Sequence, residues 1–136
     1  MSKSDPDWRS CVFVNDTSDL VAEKIKKAVT DLQEGVTYDP EGRPGLANLI
    51  ALHSGFSGLA PEEVCQQVGG MKSGQYKKIV TEVVNEGLKP IRDKISYYEN
   101  NKDHLEAVMD KGAEKARYLA AETMDTVRRL VGLTSR

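Results

Sequence analysis

The 136-residue sequence is poor in the residues on which disulfide frameworks and metal centres depend. It has two cysteines, Cys11 and Cys65, which are too few and too far apart for a disulfide framework or a zinc site. Both lie among apolar neighbours, so we expect buried free thiols in a reducing compartment. The only histidines, His53 and His104, stand apart from other metal-ligating residues. We therefore expect no metal site, and no pattern suggests a Ser-His-Asp or Cys-His catalytic arrangement.

Long apolar runs are also missing. No run approaches the roughly 18–20 residues that a membrane-spanning helix needs, and the first residues lack the basic-then-apolar pattern of a signal peptide. Apolar residues make up 39% of the chain and charged residues 29%, as in ordinary globular domains. We expect one domain-sized chain with no membrane partner.

Charge is distributed unevenly along the chain. Residues 1–70 contain 6 Lys and Arg against 11 Asp and Glu, whereas residues 71–136 contain 13 against 10. The second half is therefore the place to look for a polyanionic partner, although solvated helix faces account for most such charges.

The first half reads as one short strand followed by helices. The segment SCVFVND at 10–16 has the β-prone composition of a strand and ends in Asn15-Asp16. Thr17 or Ser18 caps a helix that ends at Gly35, and its lysines at 24, 26 and 27 fall away from the apolar face of Val21, Ile25, Ala28, Val29 and Leu32. A loop over 37–45 precedes a helix from Pro44 to Gly58, with His53 as a hydrogen-bonded residue on its apolar face. A short helix runs from Pro61 to Gly69-Gly70.

The second half reads as longer helices. Apolar residues recur at helical spacing from Ser73 to about Asn100, with a kink or a short break expected near residues 86–90 because of Gly87 and Pro90. Further helices are predicted over Lys102–Lys111 and over residues 113–131. The fold expected is a mainly α-helical bundle with one short leading strand.

Six segments in a fixed order carry a family resemblance. They are MSKSDP at 1–6, KIKKAVTD at 24–31, TYDPEGRPGLANLIALHSGFSGL at 37–59, LKPIRDKISYY at 88–98 and LEAVMDKGAEKARYLAAETM at 105–124, together with the predicted strand between the first two. In this combination, over essentially the whole chain, the sequence resembles the C-terminal part of a tryptophanyl-tRNA synthetase, most closely the animal mitochondrial form and next the bacterial enzymes. Met1, Ser2, Lys3 and Ser4 then match the KMSKS motif of class I synthetases without its leading lysine.

The resemblance implies a function for these residues. The family condenses tryptophan with ATP, with Mg²⁺, to give tryptophanyl-adenylate and pyrophosphate, and then transfers tryptophan to tRNA. Lys3 would be catalytic, because its ammonium meets the charge that grows on the departing pyrophosphate. Met1, Ser2 and Ser4 would join it in binding ATP and pyrophosphate. Arg43, in the GRPG segment, is a candidate phosphate contact, but a structural turn is the preferred interpretation, as it is for Tyr38 and Asp39.

The resemblance also implies a division of the chain and a set of partners. Residues 1–16 would be the motif remnant and the strand, and residues 17–136 a helical domain that contacts the tRNA anticodon. The Rossmann half, with the HIGH motif and the tryptophan pocket, would lie upstream, so we expect an inactive fragment that binds no cofactor by itself. Candidate tRNA contacts are Lys72, Lys77, Lys78, Arg92, Lys94, Arg117, Arg128 and Arg129.

Assembly and compartment follow from the same resemblance. The full-length enzyme is expected to be a homodimer, the fragment a monomer, and the location the mitochondrial matrix or, alternatively, a bacterial cytoplasm. Other functions stay open: a stand-alone helical tRNA-binding module, the C-terminal part of a tyrosyl-tRNA synthetase, or a helical interaction domain without a nucleic-acid role.

Overall fold

The computed structural model describes residues 7–133, and helices dominate that part of the chain. A single 3₁₀ turn at Trp8–Ser10 is followed by five α-helices: α1 (Ser18–Lys27), α2 (Pro44–Ser57), α3 (Pro61–Val68), α4 (Ser73–Asn100) and α5 (Lys102–Leu130). The prediction of a mainly α-helical fold is confirmed.

The predicted strand at 10–16 is wrong, since residues 7–133 contain no β-strand. The segment ends instead in a turn in which both the side chain and the backbone N–H of Asp16 bond to Phe13. Its carboxylate accepts a hydrogen bond from the Phe13 N–H at 2.8 Å, and its own N–H donates to the Phe13 carbonyl at 3.1 Å. A carboxylate that binds nearby backbone N–H groups competes with a strand ladder, and the described part of the chain has no neighbouring strand to pair with the segment.

Helix α1 begins as predicted and ends earlier than predicted. The Thr17 hydroxyl accepts a hydrogen bond from the Leu20 N–H at 3.3 Å and caps the helix. The helix stops at Lys27 and does not continue to Gly35. Val29 and Leu32 lie outside it, 86% and 102% exposed, so they do not belong to its apolar face.

Helices α2 and α3 start and stop where local signals place them. Both carry a proline in the first turn, where the missing N–H costs no hydrogen bond. Gly58 ends α2 with φ at 76°, a left-handed conformation that glycine adopts without steric cost. The Glu63 carboxylate accepts a hydrogen bond from the Ala60 N–H at 2.8 Å at the start of α3.

The chain forms two compact units, and the first, Met1–Lys94, contains the hydrophobic core. Residues of α1 to α4 and the loop after α1 supply it: Val21, Ile25, Val36, Leu46, Leu49, Ile50, Val64, Val68, Tyr76, Val80, Val84 and Leu88. Most of the positions at helical spacing in α1, α2 and the first turns of α4 are thus buried as predicted. Burial of such side chains from water is the main stabilising contribution.

The second unit, Ile95–Arg136, contains the end of α4 and all of α5. The two helices predicted at Lys102–Lys111 and 113–131 are one continuous helix, because Gly112 in a helix interior costs only about 1 kcal/mol. No side chain of α5 is buried. Of the kink or short break predicted near 86–90, the break is not found: α4 runs continuously from Ser73 to Asn100 with Pro90 inside it. In residues 7–133 no helix combines the length and apolar character needed to cross a bilayer.

Candidate functional site

The segment that follows the amino-terminal motif is held against α1 by a buried lysine. The Lys24 ammonium lies 2.6 Å from an Asp16 carboxylate oxygen. It also faces two aromatic rings, with 4.9 Å to the Trp8 ring centroid and 4.8 Å to that of Phe13. Because the lysine is only 1% exposed, its charge is stabilised by these three groups and not by water.

This contact corrects the prediction for Lys24 and gives that residue a structural role that the sequence analysis missed. Lys24 was placed away from the apolar face of α1, yet it is buried. It lies three residues after Val21 and directly before Ile25, so a period of 3.6 residues puts it at the edge of that face. The available signal was this spacing combined with Asp16, a carboxylate eight residues upstream that neutralises the charge.

A groove of about 860 Å³ adjoins this segment. Its walls come from the 3₁₀ turn, the last turn of α1 and the first turn of α2, and include Arg9, Lys24 and Asn48. Arg9 donates to the Asp7 carboxylate through its side chain and its backbone N–H, both at 3.0 Å. This bond holds the pKa of Asp7 below its usual range.

Arg43 is a structural residue that organises the loop between α1 and α2. Its guanidinium donates to both Asp31 carboxylate oxygens at 3.0 and 2.7 Å, to the Gln33 and Gly35 carbonyls at 3.1 Å each, and to the Thr37 hydroxyl at 2.7 Å. All its N–H directions are thus used internally. The hydrogen bond from Arg43 lowers the pKa of Asp31, and the same pairing raises that of Arg43. The preferred interpretation of the GRPG segment as a turn fits this network.

Asp39 also serves the turn. Its carboxylate accepts hydrogen bonds from the Glu41 and Gly42 N–H groups at 3.2 and 2.9 Å. Tyr38, beside it, is exposed. Short polar side chains that bind backbone N–H groups two and three residues ahead are typical of tight turns.

Two of the eight candidate tRNA contacts, Lys77 and Arg92, donate hydrogen bonds to residues outside their own helix. Lys77 donates to the Ala28 carbonyl at 2.7 Å, so it caps the C-terminal end of α1. Arg92 donates to the Asp16 carbonyl at 3.2 Å and to the Asn85 carbonyl at 2.9 Å, which ties α4 to the start of α1. Their hydrogen bonds give both residues a structural role.

The other candidates are exposed cations. Lys72, Lys78 and Lys94 lie at the surface of the first unit, and Arg117, Arg128 and Arg129 at the surface of the second. Within the second unit, Arg128 lies 3.4 Å from the Asp125 carboxylate, and Arg129 donates to the Asp125 carbonyl at 3.3 Å. A polyanion could displace contacts as exposed as these at little cost.

In the described part of the chain, neither histidine belongs to a cluster of metal-ligating side chains. His53 is buried, and its Nδ1 lies 3.4 Å from the Tyr76 hydroxyl with the rings stacked at 5.9 Å, which confirms the prediction of a hydrogen-bonded core residue. Burial lowers the pKa of His53 and raises that of Tyr76. His104 stacks on Tyr98 at 5.8 Å. Residues 7–133 hold no group of three or more His, Cys, Asp or Glu suited to a metal.

The cysteines and two neighbouring tyrosines lie outside these hydrogen-bond networks. Cys11 and Cys65 are free thiols, as expected, but both are half-buried and not fully buried. Tyr97 and Tyr98 contact each other edge to face at 5.3 Å and are both exposed. The proposed motif residues Met1, Ser2, Lys3 and Ser4 lie outside the described residues, so their roles stay predictions.

Comparisons with known proteins give the chain a family. The model of class I tRNA synthetases of the tryptophan and tyrosine type matches residues 1–89. A tryptophan–tRNA ligase of Bacillus anthracis is 38% identical over 134 residues, which cover 98% of this chain and 40% of the relative. The mitochondrial tryptophan–tRNA ligase of Dictyostelium discoideum is 34% identical over 133 residues, which cover 98% of this chain and 35% of the relative.

A solved structure agrees at the level of the fold. Tryptophanyl-tRNA synthetase from Mycoplasma pneumoniae superimposes with a TM-score of 0.60 and 23% identity, covering 99% of this chain and 41% of that one. The chain therefore spans about two-fifths of the length of these relatives. The resemblance drawn from the sequence is confirmed: the chain belongs to the class I tRNA synthetases of the tryptophanyl and tyrosyl type.

Proposed function

We propose that this chain is part of a tryptophan–tRNA ligase, which activates tryptophan with ATP and transfers it to tRNA(Trp). The observation that carries this proposal is the similarity to tryptophan–tRNA ligases over 98% of the chain, at 38% and 34% identity. The tryptophan and adenine pockets are proposed to belong to the part of the ligase that this chain does not cover. By itself, the chain is expected to show no tryptophan-dependent pyrophosphate exchange.

Within that ligase, Lys3 is proposed to be catalytic, and Met1, Ser2 and Ser4 to bind ATP and pyrophosphate with it. The family match, which begins at residue 1, supports this role. The tryptophan carboxylate attacks the α-phosphorus of ATP, and negative charge grows on the departing pyrophosphate. An ammonium placed to meet that charge stabilises the transition state more than the ground state. Mg²⁺ is proposed to accompany ATP as its counterion.

A chimera tests this assignment. In the Bacillus anthracis ligase, the 134 aligned residues are replaced by this chain, and tryptophan-dependent pyrophosphate exchange is measured. We expect exchange with tryptophan, and Lys3→Ala to slow single-turnover adenylate formation by about 10²–10³-fold with little change in ATP affinity. A correctly folded chimera without exchange, or a Lys3→Ala rate within about threefold of the parent, would contradict the assignment.

The specificity for tryptophan needs its own control. The matching family model covers both the tryptophan and the tyrosine enzymes, which favours a tyrosyl ligase as the second candidate. A second chimera is therefore made in a tyrosyl-tRNA synthetase host. Pyrophosphate exchange is measured in both chimeras, with tryptophan and with tyrosine. Activity only in the tyrosyl host would support the second candidate.

Residues 17–136 are proposed to contact tRNA, with residues 1–16 as the separate motif segment. The exposed cations Lys72, Lys78, Lys94, Arg117, Arg128 and Arg129 support this role. We expect binding of tRNA(Trp) that is micromolar or weaker and falls steeply with salt. Lys94→Met should weaken binding and reduce the salt slope by about one, whereas Arg92→Met should lower the melting temperature without that change in slope. Binding that is insensitive to salt would rule out contact with RNA phosphates, whereas nanomolar binding would favour an autonomous tRNA-binding module.

Assembly and compartment complete the proposal. The ligase is proposed to be a homodimer joined mainly outside this chain, so sedimentation of this chain alone should give a monomer. Mitochondrial relatives from Dictyostelium discoideum and Saccharomyces cerevisiae support a location in the mitochondrial matrix, and the bacterial relatives support a bacterial cytoplasm. Immunolocalisation of the endogenous protein separates the two locations.

A further inference from the structure

Lys24 is the point at which the segment Trp8–Asp16 meets α1. Three groups of that segment converge on its ammonium: the Asp16 carboxylate at 2.6 Å and the Trp8 and Phe13 rings at 4.9 and 4.8 Å from their centroids. The two lysines that follow on α1, Lys26 and Lys27, are exposed. The contact is therefore specific to one of the three lysines of the helix.

Little else fixes the two aromatic rings. Trp8 is 54% exposed and Phe13 44% exposed, so neither is anchored by burial in the hydrophobic core. The segment has no strand ladder, and the Phe13 N–H donates to the carboxylate oxygen that also binds Lys24. A charge that is shielded from water attracts ring faces and a carboxylate more strongly than an exposed charge does. The ammonium thus joins Trp8, Phe13 and Asp16 to α1, while Val12 packs against the hydrophobic core and Arg92 binds the Asp16 carbonyl.

We propose that Lys24 is a positioning residue that docks the segment Trp8–Asp16 on α1 and thereby supports the reactive geometry of the motif that precedes it in the chain. The catalytic part of this role rests on the proposed function, whereas the docking does not. Lys24 touches no reacting atom in this role. It acts through the segment to which the motif is covalently joined, and a misplacement of about 1 Å in a catalytic group is enough to slow a reaction by up to about 100-fold.

Docking is measured with the chain itself, because Trp8 is its only tryptophan. Lys24→Met removes the ammonium and keeps a side chain of similar length, and Lys27→Met is the matched control on the same helix. We expect acrylamide quenching of Trp8 to rise by up to about twofold in Lys24→Met, since the ring would go from 54% toward full exposure, and to stay unchanged in Lys27→Met. Amide exchange at Phe13 should quicken only in Lys24→Met.

Lys24→Met leaves the buried Asp16 carboxylate without its partner, which destabilises the fold. The double variant Asp16→Asn, Lys24→Met leaves no uncompensated charge and therefore serves as the decisive variant if the single one loses its helical circular dichroism. Greater Trp8 quenching with retained helix supports the docking role. Quenching equal to that of the parent, in a variant that retains its helix, overturns it.

The catalytic part is measured in the chimera. We expect Lys24→Met to slow adenylate formation by about 10- to 100-fold with little change in the KM for tryptophan, and Lys24→Arg to restore part of the rate. Rates within about threefold of the parent would overturn the catalytic part while the quenching result still decides the docking. An inactive parent chimera would instead count against the proposed function, on which this part depends.

Discussion

Replacement of Arg43 by methionine tests whether this residue holds the loop between α1 and α2 or serves a substrate. Arg43 is 4% exposed and donates hydrogen bonds to Asp31, Gln33, Gly35 and Thr37. Methionine fills a similar volume and leaves these acceptors without their donor. A structural role predicts a loss of unfolding free energy, and a substrate contact predicts none.

The loss of unfolding free energy in Arg43→Met depends on the hydrogen-bond acceptors that the substitution leaves unpaired. Removing one partner of a buried charge pair costs about 3–5 kcal/mol, but water partly reaches the Asp31 side chain, which lowers the cost. The two carbonyls and the hydroxyl each lose a bond from a charged donor, worth roughly 1.5–3 kcal/mol when fully buried and less here. We expect a net loss of about 2–3 kcal/mol, a large part of the stability of a domain of this size.

The assay is urea unfolding followed by helical circular dichroism and by Trp8 fluorescence. The midpoint should fall in Arg43→Met with an unchanged slope, and fall less in Arg43→Lys, which keeps the charge but not the planar set of donors. Arg9→Met is the matched control, because its ion pair with Asp7 lies at the surface and should leave the midpoint unchanged. An Arg43→Met midpoint equal to that of the parent would refute the structural role.

Two further predictions concern the first unit. Burial lowers the pKa of His53 in the folded chain, so the unfolded chain takes up a proton first as the pH falls, and the free energy of unfolding should decrease below the ordinary pKa of 6.5. Urea titrations from pH 7.5 to 5 should show that the free energy of unfolding depends less on pH in His53→Gln than in the parent, and an equal dependence would contradict the prediction. Gly45→Ala should cost about 1–3 kcal/mol, because a Cβ there would collide with the Val29 carbonyl. Gly55→Ala, on the same helix with open space around it, should instead stabilise by up to about 1 kcal/mol, and equal melting temperatures of the two variants would refute the steric explanation.

Local signals predicted the parts of the fold that depend on nearby residues. The first-turn prolines of α2 and α3, the Thr17 cap and the left-handed Gly58 each act within one or two turns of the backbone, so the sequence alone places those helix ends. The apolar spacing of α4 likewise predicted its buried residues, such as Tyr76 and Val80.

Three of the wrong predictions depend on a partner that the apolar pattern does not show. Helix α1 ends where Lys77, 49 residues away, binds the Ala28 carbonyl, and no local pattern announces that bond. The segment at 10–16 has the composition of a strand, but strand formation needs a partner strand, and residues 7–133 contain none. Lys24 was misplaced because a buried charge is acceptable only beside its partner, here Asp16.

The charge of residues 71–136 also bears on RNA binding. Residues 71–136 contain 13 basic against 10 acidic residues, and Lys77 and Arg92 keep their charges although backbone carbonyls accept their hydrogen bonds. An excess of three basic residues attracts a polyanion only weakly over distance, so any affinity for tRNA depends on where the exposed cations lie. Replacing a single exposed lysine such as Lys94 should therefore reduce the salt slope of tRNA binding by about one, and the reductions should add when several such lysines are replaced.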